Sequence, residues 1–121
     1  MSEKQIPESR PLGPNGPTQS EVDALKETHG TVKACFLGGK VYVIRMMNRT
    51  EHLNLMQDLE DRVDKNDMDF DVDQMVAEGF TVWPKGNEID WTGEPGGVVG
   101  VLSQEVSKFS GFIRDKDSIE L

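Results

Sequence analysis

Residues 31–47 read TVKACFLGGKVYVIRMM and carry the clearest structural signal in the chain. Two runs rich in β-forming residues, Thr31–Leu37 and Lys40–Met47, are separated only by Gly38 and Gly39. Both central positions of a type I′ turn need a positive φ angle, which glycine adopts without steric cost. The stretch therefore predicts a tight antiparallel β-hairpin.

The predicted strands have an apolar face, because side chains alternate between the two sides of a strand. Val32, Ala34 and Phe36 share one side of the first strand, and Tyr42, Ile44 and Met46 share one side of the second. These residues are suited either to the core or to holding a segment of a partner protein.

Helix signals flank the hairpin on both sides. Thr18 and Glu21 have the spacing of a capping box, which predicts a short helix from about Gln19 to His29. After the hairpin, Asn48 or Thr50 can serve as the N-cap of a second helix. Apolar residues then recur at helical spacing, and this stripe is expected to pack on the sheet: Leu55, Met56, Leu59 and Val63.

The second half of the chain predicts two more helices and one or two short strands. Asp71 can cap a short helix, and residues 80–83 form a strand that ends at Pro84. Ile89 and Trp91 alternate with Asp90 in a possible last strand. Residues 98–110 form a closing helix with an apolar stripe: Val98, Leu102, Val106 and Phe109.

The closing helix has a stop signal of its own. Gly111 follows its last residue, and Phe112 is placed to fold back in a Schellman-type contact. Trp83 and Phe112 are therefore expected to anchor the core, or the border between the core and a binding surface.

These elements predict one α+β domain. A small antiparallel sheet, made of the hairpin and one or two further short strands, packs with about four helices. The domain spans residues 18–112. Residues 1–17 contain four prolines and two glycines without an apolar stripe, which predicts a disordered arm. Residues 113–121 are expected to form a charged tail.

The charge of the chain restricts its partners. The formal net charge is −9, and nine acidic residues lie between Asp58 and Glu78 against only Arg62 and Lys65. A polyanion is repelled by such a surface, so a nucleic-acid partner is not expected. No apolar run reaches the roughly 18 residues of a membrane span, so no membrane partner is expected either. The acidic segment is either a solvated surface or a patch for a basic protein.

One acidic segment resembles a calcium-binding loop. Asp67, Asp69, Asp71 and Glu78 occupy positions 1, 3, 5 and 12 of an EF-hand pattern. Position 6 is Val72, where the sharp turn of the loop needs glycine. We therefore expect no specific calcium site and no cofactor, and a calcium-binding module is the alternative interpretation.

Catalytic signals are weak. Cys35 is the only cysteine, and His29 and His52 are the only histidines that could serve it as a base. No nucleophile, base and acid recur in a familiar pattern, so an enzyme is not expected. A small enzyme that uses Cys35 or a carboxylate is a second alternative.

From about residue 20 to residue 112, the chain resembles small tail-assembly chaperone-like proteins of tailed bacteriophages. Three segments carry the resemblance: residues 30–51, residues 75–84 ending in Trp83-Pro84, and residues 97–112 ending in Ser110-Gly111-Phe112. The resemblance implies no catalytic residues. It implies a partner from the phage tail or baseplate and a location in the host-cell cytoplasm, with retention in the virion tail as an open alternative.

The expected partner is a protein with a basic surface, and the oligomeric state is left open. The residues predicted to bind it are three aromatic residues and four acids: Tyr42, Trp83, Trp91, Asp61, Asp64, Asp67 and Asp69.

Overall fold

A computed structural model describes residues 9–67 and 69–112 of the chain. Within these ranges the helices and strands follow in the order α1 (Gln19–His29), β1 (Val32–Leu37), β2 (Lys40–Arg45), α2 (Arg49–Asp64), α3 (Val72–Phe80), β3 (Thr81–Trp83) and α4 (Val98–Phe109). The predicted α+β fold with an antiparallel sheet and about four helices is confirmed. The predicted tail at residues 113–121 and the first eight residues of the predicted arm lie outside the described residues.

The hairpin forms as predicted. β1 and β2 pair in antiparallel fashion, with Leu37 opposite Lys40 and Cys35 opposite Tyr42. Gly38 and Gly39 have φ angles of 58° and 79°, the positive values that their turn requires. β3 pairs with the other side of β2, so β2 is the central strand of the order β1-β2-β3.

The main core lies between the sheet, α3 and α4. The inward side chains of β1 and β2 meet the apolar faces of the two helices in one cluster: Cys35, Tyr42, Ile44, Met47, Val76, Ala77, Phe80, Val98, Leu102 and Val106. The predicted stripe of α4 is therefore confirmed. β2 is also buried on its opposite face, where Val41 and Val43 lie.

Residues 9–17 belong to the folded domain, so the prediction of a disordered arm up to residue 17 was wrong for this part. Pro17 is fully buried, and the backbone N–H of Gln19 donates to the carbonyl of Ser9 at 2.7 Å. Leu12 helps to line an apolar cavity of about 290 Å³ between this segment, α1 and the sheet. Proline and glycine here favour turns, and the turns place apolar side chains on the second face of the sheet.

The local helix-start signals hold. Thr18 and Glu21 form the predicted capping box of α1. Asn48, rather than Thr50, caps α2 and forms a second capping box with Glu51. The Asp71 side chain accepts a hydrogen bond from the backbone of α3, as predicted. None of the helices among the described residues is both long and apolar enough to cross a membrane.

The predicted strand at Ile89 and Trp91 does not form. Two short 3₁₀ turns, Gly86–Glu88 and Trp91–Gly93, occupy the connection to α4. A Cβ atom on Gly86 would lie 1.9 Å from the carbonyl oxygen of Glu78, so only glycine allows the chain to pass so close to α3. The indole N–H of Trp91 donates to the Gly86 carbonyl at 2.9 Å, which fixes the connection in its turns.

The end of α4 forms the predicted Schellman contact. Gly111 has a φ angle of 84°, and the backbone N–H of Phe112 donates to the carbonyl of Ser107 at 2.9 Å. However, the Phe112 side chain is 42% exposed, so it is not a core anchor. Its ring stacks on the ring of His52 in α2, with centroids 4.4 Å apart.

Candidate functional site

Helix α2 differs from the rest of the domain because none of its sixteen residues is buried. Leu53, Met56 and Val63 are 50%, 42% and 54% exposed. Leu55 is the member of this helix that packs, partly buried, against the core cluster. The prediction that the stripe packs on the sheet was therefore wrong for Met56 and Val63, whose side chains lie largely in water.

The first turn of α2 is nevertheless fixed to the domain. Arg45 of β2 donates to both carboxylate oxygens of Glu51, at 2.9 and 2.7 Å. The guanidinium carbon also lies 4.4 Å from the centre of the Phe80 ring. The hydrogen bonds from Arg45 are the main cause of a lowered Glu51 pKa. Because Glu51 also closes the capping box, one carboxylate joins the start of the helix to the sheet and the core.

Weaker contacts hold the last turns of α2. Arg62 lies 3.2 Å from the carboxylate of Asp58 and 3.9 Å from that of Asp67. Its guanidinium carbon is 5.7 Å from the centre of the Phe70 ring, in the loop that leads to α3. Exposed ion pairs of this kind contribute little individually. The last turns of α2 thus have only weak contacts with the described residues of the following loop, while the outer side of the helix remains open.

The open side has an apolar centre and an acidic edge. At about 100° per residue, Leu53, Met56 and Val63 share one face of the helix, and Glu60 lies within the same stripe. Asp61 and Asp64 follow on the edge next to Leu53, and both are exposed. We call these six residues the α2 surface: Leu53, Met56, Glu60, Asp61, Val63 and Asp64. Such a surface suits a partner that is both apolar and basic.

The four predicted acids lie on the second half of α2 and on the following loop. Asp61 accepts a hydrogen bond from the side chain of Gln57 at 3.0 Å. Asp67 accepts one from the backbone N–H of Asp69 at 3.3 Å, and both residues are exposed. Asp69 lines an open cleft of about 470 Å³ between α2 and α3, together with Phe70 and other residues. All four carboxylates are therefore accessible to a partner.

The segment that resembled an EF-hand is mainly a helix start. Asp71 accepts a hydrogen bond from the Gln74 backbone N–H at 3.2 Å, and Val72 is the first residue of α3. One carboxylate oxygen of Asp71 therefore caps α3. Among the residues that the structure describes, no three His, Cys, Asp or Glu side chains are grouped to hold a metal ion.

Tyr42 is a core residue, which corrects its assignment to the predicted binding face. Only 2% of it is exposed, and its hydroxyl donates to Glu94 at 3.0 Å. Burial, followed by the hydrogen bond to Glu94, raises the pKa of Tyr42 to about 12. Lys40 lies 2.8 Å from the same carboxylate. The ring of Tyr42 thus supports the core and offers no surface to a partner.

The two tryptophans are half-buried in different surroundings. The indole N–H of Trp83 donates to Glu21 of α1 at 3.3 Å, and the ring lines a shallow cleft of about 240 Å³ with Pro84 and Lys40. Trp91 packs against the core cluster from the connection before α4. Trp83 fits the predicted position at the border between core and surface. Trp91 instead packs on the core and fixes the connection before α4.

Cys35 has an environment that disfavours nucleophilic chemistry. It lies in the core cluster between the sheet and the helices. Burial, assisted by the negative charge of Glu105, raises the pKa of its thiol. A raised pKa lowers the thiolate fraction, and the thiolate is the reactive form.

The residues missed from the sequence are the exposed ones in the α2 stripe. Leu53 was left out of the predicted stripe, and Met56 and Val63 were assigned to the core. With Leu55 and Leu59, the apolar residues of α2 span about 160° of its circumference. An apolar arc this wide can contact both the core and a second surface. The width of the arc was therefore the sequence feature that could have indicated an exposed apolar stripe. No protein-family model, curated protein or solved structure matches the chain.

Proposed function

We propose that this chain is a non-enzymatic protein-binding module that holds another protein on the α2 surface. One observation carries the proposal: a sixteen-residue helix, joined to the sheet at its first turn, has no buried residue and exposes Leu53, Met56 and Val63. A helix that contributes so little to the core gains stability when a partner removes its apolar stripe from water. Apolar patches rimmed by polar residues commonly mark interaction sites.

Charge defines the kind of partner. The acidic edge of the α2 surface lies in a chain with a net charge of −9, so a basic protein surface is attracted and accelerated toward it. Ion pairs between the acidic edge and the partner would be exposed, so they would contribute mainly to the rate and orientation of encounter. The apolar contacts of Leu53, Met56 and Val63 would supply most of the affinity.

The resemblance to tail-assembly chaperone-like proteins supports a phage tail or baseplate subunit as the partner. In this proposal the chain acts in the host-cell cytoplasm during assembly, and retention in the virion tail is the alternative outcome. Both versions use the same surface, since each requires the chain to hold another virion protein.

Site-specific photo-crosslinking tests the proposal. A photoreactive amino acid replaces Met56 in one variant and Val101 in a control, because Val101 is similarly exposed but lies on α4. After irradiation in infected host cells, the Met56 position should form an adduct with one defined protein, and the Val101 position should not. Mass spectrometry identifies the adduct. Equal adduct patterns from the two positions would refute binding at α2.

A further inference from the structure

We infer that the α2 surface takes an amphipathic α-helix of the partner, with Lys or Arg along one side of its apolar stripe. This inference rests on the proposed function and specifies the structure and chemistry of the bound segment. Three features of α2 lead to it: the spacing of the stripe, its saturated backbone and the position of Glu60.

The spacing of the stripe matches the contact of two helices. Leu53, Met56, Glu60 and Val63 follow one another at intervals of three, four and three residues. These are the a and d intervals at which the side chains of two helices interlock. A partner helix of two to three turns could therefore contact the whole stripe without interruption.

The backbone of α2 disfavours an extended partner. A β-strand binds mainly through backbone hydrogen bonds to an open sheet edge. Between its ends, the backbone groups of an α-helix are already paired within the helix. The affinity for a segment lying along α2 must therefore come from side chains, and a helix presents them at the matching period.

Glu60 specifies the charge of the partner. Its carboxylate lies inside the apolar stripe, and it has no ion pair or hydrogen bond with any described residue. A docked helix would partly desolvate this charge, which is costly unless a cation faces it. Asp61 and Asp64 continue the negative charge along one edge. Lys or Arg opposite Glu60 and along that edge satisfies all three carboxylates.

The same charges make a second copy of the chain a poor occupant. In a parallel pair of α2 helices, Glu60 would face its own counterpart. In an antiparallel pair, the position of Met56 would face Glu60, leaving the carboxylate against an apolar side chain. Each copy also has a net charge of −9. Electrostatic repulsion therefore opposes self-association through this surface.

Synthetic peptides added to the full chain test the inference. The probe is a fluorescent helix of about three heptads, with Leu at a and d and Lys along one edge. A second peptide has Glu in place of Lys. A third keeps the Lys and Leu content but contains a central proline, which breaks the helix. Fluorescence anisotropy should show saturable binding of the Lys helix, and both other peptides should bind at least about tenfold more weakly.

Matched variants locate the binding site. Leu53→Gln/Met56→Gln/Val63→Gln should weaken binding of the Lys helix about tenfold or more, whereas Val101→Gln should not. Asp61→Asn/Asp64→Asn should weaken it several-fold. Asp23→Asn/Glu27→Gln removes the same charge from the exposed side of α1 and should have a smaller effect.

Several results would overturn the inference. Equal binding of the helical and proline-containing peptides would show attraction by charge alone. Absence of binding by the Lys helix, or binding unaffected by the triple glutamine variant, would exclude a basic helix on α2. A stable dimer that the triple variant abolishes would identify a second copy as the occupant. The crosslinking result at Met56 is independent of the peptides, so the proposed function can stand where this inference fails.

Discussion

Helices α2 and α4 have similar apolar periodicity in the sequence and opposite roles in the structure. In α4, Val98, Leu102 and Val106 are buried against α3 and the sheet. In α2, no residue is buried, and Leu53, Met56 and Val63 are exposed. Periodicity shows that a helix has an apolar face, but it does not show whether that face meets the chain's own core or another molecule.

The polar residues around each stripe explain the difference. α4 has a small uncharged residue, Ser103, buried beside Leu102 and Val106. α2 has Glu60 within its stripe and Asp61 and Asp64 at the edge. Burying these carboxylates against the domain would require cations, and the three cations of the sheet are already paired with other carboxylates: Lys33, Lys40 and Arg45. Packing the exposed stripe of α2 against the core of the domain would therefore cost free energy.

The largest effect is expected in α4. Leu102→Ala removes a fully buried side chain between α3, α4 and the sheet, and it should cost about 2–5 kcal/mol of unfolding free energy. Urea denaturation followed by circular dichroism measures this cost. A loss below about 1 kcal/mol would mean that α4 is not the central packing element of the domain.

The next largest effect is expected from the N-terminal segment. A chain that begins at Thr18 lacks the buried Pro17 and the half-buried Leu12, which lines the cavity on the second face of the sheet. It should be less stable by about 2 kcal/mol than a chain that begins at Ser9. Comparing these two truncations by thermal denaturation isolates residues 9–17. Equal melting temperatures would show that residues 9–17 do not stabilise the domain.

A smaller effect is expected where α2 is attached. Glu51→Gln keeps a capping-box residue but removes the charge that Arg45 binds, and it should cost about 1 kcal/mol at neutral pH. The Glu51 pKa is lower in the folded state than its usual value of 4.5. Its contribution to stability is therefore present above about pH 4.5 and is lost as the pH falls through the lower, folded pKa.

The wild-type chain should accordingly lose more stability than Glu51→Gln when the pH falls from about 5 to about 3. Denaturation curves at several pH values measure the difference, with Asp61→Asn as a control for an exposed carboxylate on the same helix. Parallel pH profiles for the wild type and Glu51→Gln would show that the ion pair with Arg45 does not stabilise the attachment.

The sequence predicted the features that depend on neighbouring residues. Thr18 with Glu21, Gly38 with Gly39, and Gly111 with Phe112 each satisfy a local backbone requirement, and the structure has the expected motif at each. Features that depend on distant residues were missed. Burial of Pro17 depends on the tertiary packing of residues 9–17, and the turn at Trp91 accompanies the close approach of Gly86 to Glu78. The fold class was therefore predictable, whereas the side of α2 that faces water was not.

The smallest effect on stability is expected on the α2 surface, where Leu53→Gln/Met56→Gln/Val63→Gln replaces the exposed stripe. Glutamine has a helix propensity close to that of leucine and methionine and better than that of valine, so the helix itself is preserved. The three side chains are largely solvated already, so the total loss should stay below about 1 kcal/mol.

Urea denaturation of this variant beside Leu102→Ala gives the direct comparison of the two helices. A loss of several kcal/mol from the triple variant would show that the stripe is packed within the domain, and the assignment of α2 as a binding surface would then be wrong. If the triple variant keeps its stability, and Leu53→Gln/Val63→Gln abolishes the adduct formed by the photoreactive residue at position 56, the stripe is dispensable for folding and required for recognition. That combination separates a binding helix from a core helix.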